Sequence, residues 1–381
     1  MKNTKILLST KALRSFSVGF MSVILPIYLV YLGFPKIYVG IIFSLMIAVS
    51  ATVTIFSHRI ANSIGRKNSL ALFSFVTAFS AMMMFLTTND LIFVIFSILS
   101  FASVNGTDIG PVFSLENAAF SDAAKGANPK YFSIYSLLGG ALLALGSFSV
   151  STSLEARYFF LIFFLLSFVS GALFLFLKEE RKRKQKSFQI PKSVNKKING
   201  LATLFSIDSF GGGFVLQTLI AYFFLIRFNL PQDYLGFIFF IANVLILTSY
   251  FFSYKLSKKI GLIRTMVFTH LPSNVLLILM AFAPTSLIAV VLYLLRMSLA
   301  EMDVPPRQAY TMMVVPKKYR NKAATMTVGT RMYSQAISPV LSGWLMQFIS
   351  DGSPFIAGGA LKIAYDLLLF RNFRKIKTVS N

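Results

Sequence analysis

Cysteine is absent from the 381 residues, which excludes disulfides, thiolate metal sites and cysteine nucleophiles together. Histidine is nearly absent: His58 and His270 stand far apart, with no spaced metal-ligand cluster and no Walker loop. A metal site, a cofactor and an enzyme active site are therefore not expected. Charge is scarce too, at 13% of residues against 56% hydrophobic, and the mean hydropathy is +0.71. A soluble chain of this size has no way to hide so much apolar surface, whereas the bilayer serves as its solvent. Twelve spans of about 20 residues use roughly 240 residues. The short remainder leaves no room for a soluble catalytic domain.

What is present is a series of apolar runs between charge or turn clusters. They fall at residues 12–33, 38–57, 69–87, 91–113, 131–150, 158–177, 201–226, 234–253, 265–283, 287–304, 323–349 and 355–370. The run after Lys11 is too long for a signal-peptide core and lacks a small-residue cleavage site, so it reads as a retained first span. The formal net charge is +24. With the amino terminus inside, only Lys36, Arg157 and Arg227 fall in outer loops, while the tails and inner loops hold most of the other basic residues. That asymmetry is the positive-inside rule. It predicts a multi-pass protein of the cell membrane with both termini cytoplasmic, and makes a nucleic-acid partner unnecessary. The longest connection, Lys178 to Lys197, carries nine basic and two acidic residues. It reads as a solvated linker, or as a site for anionic lipid headgroups.

The sequence is written twice. Pro35, Tyr38, Gly40, Ile42 and Phe43 recur as Pro231, Tyr234, Gly236, Ile238 and Phe239, an offset of 196. Ser57 and Ile64-Gly65 recur at the same offset as Ser253 and Ile260-Gly261. Ser15-Phe16 and Gly19-Phe20 recur as Ser209-Phe210 and Gly213-Phe214, and Asp108 with Pro111 as Asp303 with Pro306. Six spans per half give parallel repeats about an axis along the membrane normal. The expected domains are a six-helix bundle over 1–177, a basic linker over 178–199 and a second six-helix bundle over 200–381.

Twelve spans as six plus six, the basic central loop and Arg59-Ile60-Ala61-Asn62-Ser63-Ile64-Gly65-Arg66-Lys67 resemble the major facilitator superfamily. The resemblance covers nearly the whole chain and implies its all-α membrane fold, two pseudo-symmetric six-helix bundles. Gly65, Arg66 and Lys67 match the family's loop signature, but His58 stands at its Gly and Asn62 at its Asp. The resemblance makes Arg59, Asn62, Gly65, Arg66 and Lys67 the candidate conformational loop. The stretches Asp208 to Phe214 and Met302 to Gln308 are similar to a prokaryotic branch grouped with drug-efflux carriers. The antiporter signature of the fifth span is absent, since no Pro lies there.

Charges inside a membrane cost about 2.5 to 3.5 kcal/mol each on insertion scales and call for partners. Lys362 and Asp366, four apart on one helix, are expected to neutralise each other. Glu116 and Arg307 are expected where helices meet cytoplasm. Arg14 either snorkels to the inner headgroups or pairs with Asp208, its mate in the repeat. His270 reads as a packing residue or a proton carrier. Arg296, the deepest charge, shares a helix face with Asp303, where it would attract a polar or anionic solute group. Asp303 either caps the inner helix end or titrates. Arg331 is a candidate counter-ion. In the family the first, fourth, seventh and tenth spans line the cavity, and Arg14, Asp108, Asp208, Arg296 and Asp303 fall on these four. Asp208, Asp303 and Asp108 are the candidates for proton coupling, because burial and a nearby arginine shift a carboxylate's proton affinity in opposite senses. Gly139, Gly140, Gly146 and Gly211 to Gly213 are expected to allow close backbone approach or unwinding.

The function these residues imply is proton-coupled secondary transport of a small amphipathic or organic solute, in the direction of efflux. A proton symporter importing a sugar or organic acid, an uncoupled facilitator and a receptor with a transporter fold are the alternatives.

Overall fold

The computed structural model describes residues 2–123, 129–178, 191–307, 310 and 320–373. Its helices, in chain order, are α1 Lys2–Tyr31, α2 Lys36–Ile64, α3 Arg66–Leu86, α4 Asp90–Leu99, α5 Pro111–Ala123, α6 Pro129–Ser149 and α7 Ala156–Phe174. The second half continues with α8 Lys192–Gly213, α9 Gln217–Phe228, α10 Gln232–Ile260, α11 Leu262–Ala281, α12 Ser286–Ala300, α13 Arg320–Phe348 and α14 Ser353–Phe373. No strand occurs among the described residues. Nine helical segments there are long and apolar enough to cross a membrane, with α8 and α9 counting as one. Most of the basic linker, residues 179–190, lies outside the described residues, and so does the lipid-headgroup expectation placed on it.

Two expected spans are broken. The run at 91–113 is α4, an irregular stretch and α5; the run at 201–226 is α8 and α9, parted at Phe214 to Leu216. Irregular backbone at membrane depth needs internal hydrogen-bond partners. Val104 O receives both the backbone N–H of Thr218 at 3.3 Å and its hydroxyl at 3.0 Å. The tenth run ends early, at Ala300, and turns through Glu301 to Asp303.

The repeat is visible in local geometry. Asn89 caps α4 by accepting from Ile92 N at 3.1 Å, and Thr285, 196 residues on, caps α12 by accepting from Ile288 N at 3.4 Å. Different side chains perform the same capping, which is why a search for identical residues passes over the pair. Gly65 and Gly261 join α2 to α3 and α10 to α11 with φ of 90° and 86°, a region that L side chains avoid.

By backbone contact the chain forms two compact units, Met1–Arg183 with Leu216–Asn243, and Lys184–Val215 with Val244–Asn381. In the first, α1 packs on α6, α7 and α9, and α3 packs on α7. Gly19 and Gly146 bring α1 and α6 into backbone contact, since a Cβ on Gly146 would overlap Phe16 O. Residues 216–243 join this unit through polar bonds: Gln217 to Ser22 at 2.9 Å, Gln232 to Leu154 O at 2.9 Å and Asn243 to Ser147 at 3.0 Å. In the second unit α8 packs on α13 and α14, and α11 packs on α12 and α14. There Gly213 meets Ser338, whose hydroxyl donates to Phe210 O.

Candidate functional site

Each unit holds a buried knot of charges. In the first, α1 presents Lys11 and Arg14, three apart on one face. The break after α4 presents Asp108, and α5 presents Glu116. Arg14 grips Asp108 with two parallel bonds, Nε to Oδ1 at 2.9 Å and Nη2 to Oδ2 at 2.8 Å, the fork geometry that favours arginine over lysine. Lys11 Nζ lies 2.6 Å from Asp108 Oδ2. Glu116, wholly buried, receives Arg14 Nη2, the Thr10 hydroxyl and the Tyr135 hydroxyl, the last at 2.7 Å. Lys11 also stands 5.0 Å from the centroid of the Tyr135 ring. Gly139 leaves room for it, because a Cβ there would collide with Lys11 Cε. Two cations face two carboxylates, so the knot is neutral.

The second knot draws on five helical segments. Asp208 of α8 takes Arg307 Nη1 on Oδ2 at 2.8 Å and Lys362 Nζ on Oδ1 at 2.9 Å. Lys362 Nζ also approaches His270 Nε2 at 3.3 Å, while His270 Nδ1 lies 2.8 Å from Asp366 Oδ1. An ammonium can only donate, so Nε2 accepts and Nδ1 carries the proton toward Asp366. Asn274 donates to Asp366 Oδ2 at 3.0 Å. Arg307 reaches Asp303 at 3.3 Å, and Arg331 Nε donates to Ser209 at 2.8 Å. Asp208, Asp303 and Asp366 balance Arg307, Arg331 and Lys362 while His270 is neutral. Burying such groups is tolerable only when each is paired and hydrogen-bonded.

A family model described as Major Facilitator Superfamily matches residues 7–327. The chain belongs to the major facilitator superfamily. It is a membrane transporter rather than an enzyme. An uncharacterized membrane protein of Saccharomyces cerevisiae, YJR124C, is 22% identical over 418 residues, covering 97% of this chain and 93% of that protein. Among solved structures, the nucleoside transporter NupG has a TM-score of 0.76 at 15% identity, covering 99% of this chain and 100% of that one. The D-xylose-proton symporter has a TM-score of 0.73 at 15% identity, covering 99% of each chain. The human organic anion transporter MFSD10 has a TM-score of 0.69 at 13% identity, covering 97% of this chain and 99% of that one. These likenesses show the major facilitator fold.

On this superfamily frame several expected partners change. Arg14 binds Asp108 and Glu116, and Asp208 binds Arg307 and Lys362, in place of the Arg14–Asp208 pair. Arg14 is drawn inward by two carboxylates and does not snorkel. Lys362 and Asp366 do not neutralise each other: Asp208 from α8 and His270 from α11 claim them first. Glu116 and Arg307 are buried within their units, where Arg14 holds the first and Asp208 the second. Arg331 turns to a hydroxyl instead of a carboxylate. Arg296 is 7% exposed, sends Nη1 to Met297 Sδ at 3.1 Å and leaves Nε without a hydrogen-bond partner.

The superfamily loop at the α2–α3 junction departs as its sequence suggests. The carboxylate missing at Asn62 is supplied from α5, where Asp122 Oδ2 meets Arg66 Nη1 at 2.7 Å. His58 lies 3.3 Å from Ser114 Oγ, and Arg59 stacks on Phe56. Sequence reasoning missed Tyr135, Asn274 and the buried role of Glu116. Charge balance was the available signal, because Lys11 and Arg14 on one helix face require two carboxylates from the same half.

Proposed function

We propose that the protein is a proton-coupled secondary active transporter that exports a small amphipathic or organic solute by alternating access between its duplicated halves. The proposal places it in the cell membrane with both termini cytoplasmic, akin to the prokaryotic drug-efflux branch. The observation that carries the coupling is the state of Asp303. It is 3% exposed, its Oδ2 has no hydrogen-bond partner, and its cation Arg307 is shared with Asp208. Protonating Asp303 releases Arg307 wholly to Asp208. Asp208, held by two cations, is the fixed pole of this exchange, and Asp108 plays that part in the first unit. The named activities of the solved relatives, nucleoside transport, D-xylose–proton symport and organic anion transport, support small-solute movement as the class.

Reconstitution of the full chain into liposomes under an imposed pH gradient, with a panel of labelled solutes and dyes, tests the proposal. The expected result is proton flux that depends on one solute. Asp303→Asn abolishes gradient-driven accumulation and retains solute exchange. Unchanged accumulation in Asp303→Asn overturns the assignment, and solute movement without proton flux favours an uncoupled facilitator.

A further inference from the structure

Inside the first unit a cavity of about 570 Å³, counting its open mouth, lies among α1, α3, α7 and the stretch joining α4 to α5. Arg14 and Asp108 stand in its wall, and Phe101, Phe113, Phe163 and Leu166 give it apolar sides. Apolar walls with a few polar groups are the plan of small-molecule pockets.

The repeat shows what this cavity lacks. At the offset of 196, Ser74, Ser170 and Leu166 of the cavity correspond to His270, Asp366 and Lys362. In the second unit those three side chains form the file that ends on Asp208, the mate of Arg14. In the first unit two hydroxyls and an isobutyl group stand there instead. Arg14 Nη1 is buried and has no hydrogen-bond partner. A buried N–H of a charged group is costly to leave unmade.

The available chemistry defines the occupant. Ser17, Thr77 and Ser170 spend their hydroxyl hydrogens on Leu13 O, Phe73 O and Leu166 O, at 3.0, 3.0 and 2.8 Å. They offer the cavity lone pairs only, whereas Arg14 Nη1 offers a hydrogen. The charges around Arg14 already cancel, so an ionised ligand would add a buried charge without a counter-ion. We infer that the cavity binds an uncharged amphipathic molecule with an amide or alcohol head. The head's oxygen accepts from Arg14 Nη1, its N–H or O–H donates to the serine and threonine oxygens, and its apolar body lies on the phenylalanines. This site stands whether or not transport is coupled to protons.

Equilibrium binding of tritiated benzamide to the purified full chain, competed by benzoate and by benzylamine, tests the inference. Benzamide is expected to bind saturably, with both charged isosteres at least about tenfold weaker. Ser74→Leu and Ser170→Leu fill the cavity and should weaken benzamide by about tenfold or more. Photolabelling of the unmodified protein by 4-azidobenzamide supplies a readout free of variant folding, and should mark peptides of α1, α3, α7 or residues 101–113. The inference is overturned by absent saturable binding, by benzoate binding as tightly as benzamide, by wild-type affinity in folded leucine variants, or by label confined to other segments.

Discussion

The two charge knots sit at matching places in the repeat yet solve the same electrostatic problem differently. The first unit closes a four-charge knot with hydroxyls from Thr10 and Tyr135 and leaves a cavity beside Arg14. The second fills the matching space with Lys362, His270 and Asp366. The backbone devices are retained in both, as the glycines at 65 and 261 and the caps at 89 and 285 show. What the difference teaches is that duplication conserves helix geometry while buried chemistry diverges, provided that the charges within each knot cancel. In low dielectric an uncancelled charge costs more than a change of side-chain type.

The comparison can be broken most forcefully by moving charge across the repeat. Exchanging Arg14→Asp with Asp208→Arg places a third carboxylate beside Asp108 and Glu116 and a third cation beside Arg307 and Lys362. The double variant should therefore be worse than either single one, with loss of monodisperse protein. Recovery of folding or transport would show that the two positions pair with each other after all. Next in size, Asp208→Asn leaves Lys362 without its carboxylate and should lose about 3 to 5 kcal/mol, read as a lowered Tm in detergent. A smaller loss, about 1 to 2 kcal/mol, is expected for Tyr135→Phe, which removes one of three donors to Glu116. An unchanged Tm would mean that water replaces the hydroxyl. The least effect belongs to Arg66→Ala: the Arg66–Asp122 pair is exposed at 41% and 51%, so its loss should cost about 0 to 1 kcal/mol. A larger drop would make this pair a latch in its own right.

Much of the fold was legible in the sequence because hydropathy and repetition act over whole helices. Apolar runs locate α1, α2, α3, α6, α7, α10, α11 and α14 well. The glycines at 146 and 213 mark close approaches that the structure makes. The break between α4 and α5 was hidden, since Ser100 to Gly110 carries a single charge, Asp108, and an averaging window passes over it. The charged residues themselves were also legible, as any ion in an apolar run stands out. Their partners were not. A spacing of four on one helix suggested Lys362 with Asp366, but α8 and α11 bring Asp208 and His270 to the same side chains. Such choices are tertiary, set by which helices pack together, and one strand of sequence carries no record of them.

Gly106 carries a last consequence. With a φ of 68°, it faces Gln217, whose side-chain amide occupies the space a Cβ would need. A single methyl at this position would act as a doorstop, forcing Gln217 off Ser22 and prising the start of α9 from its seat. Gly106→Ala thus tests how firmly the start of α9 is held, without touching any ionised group.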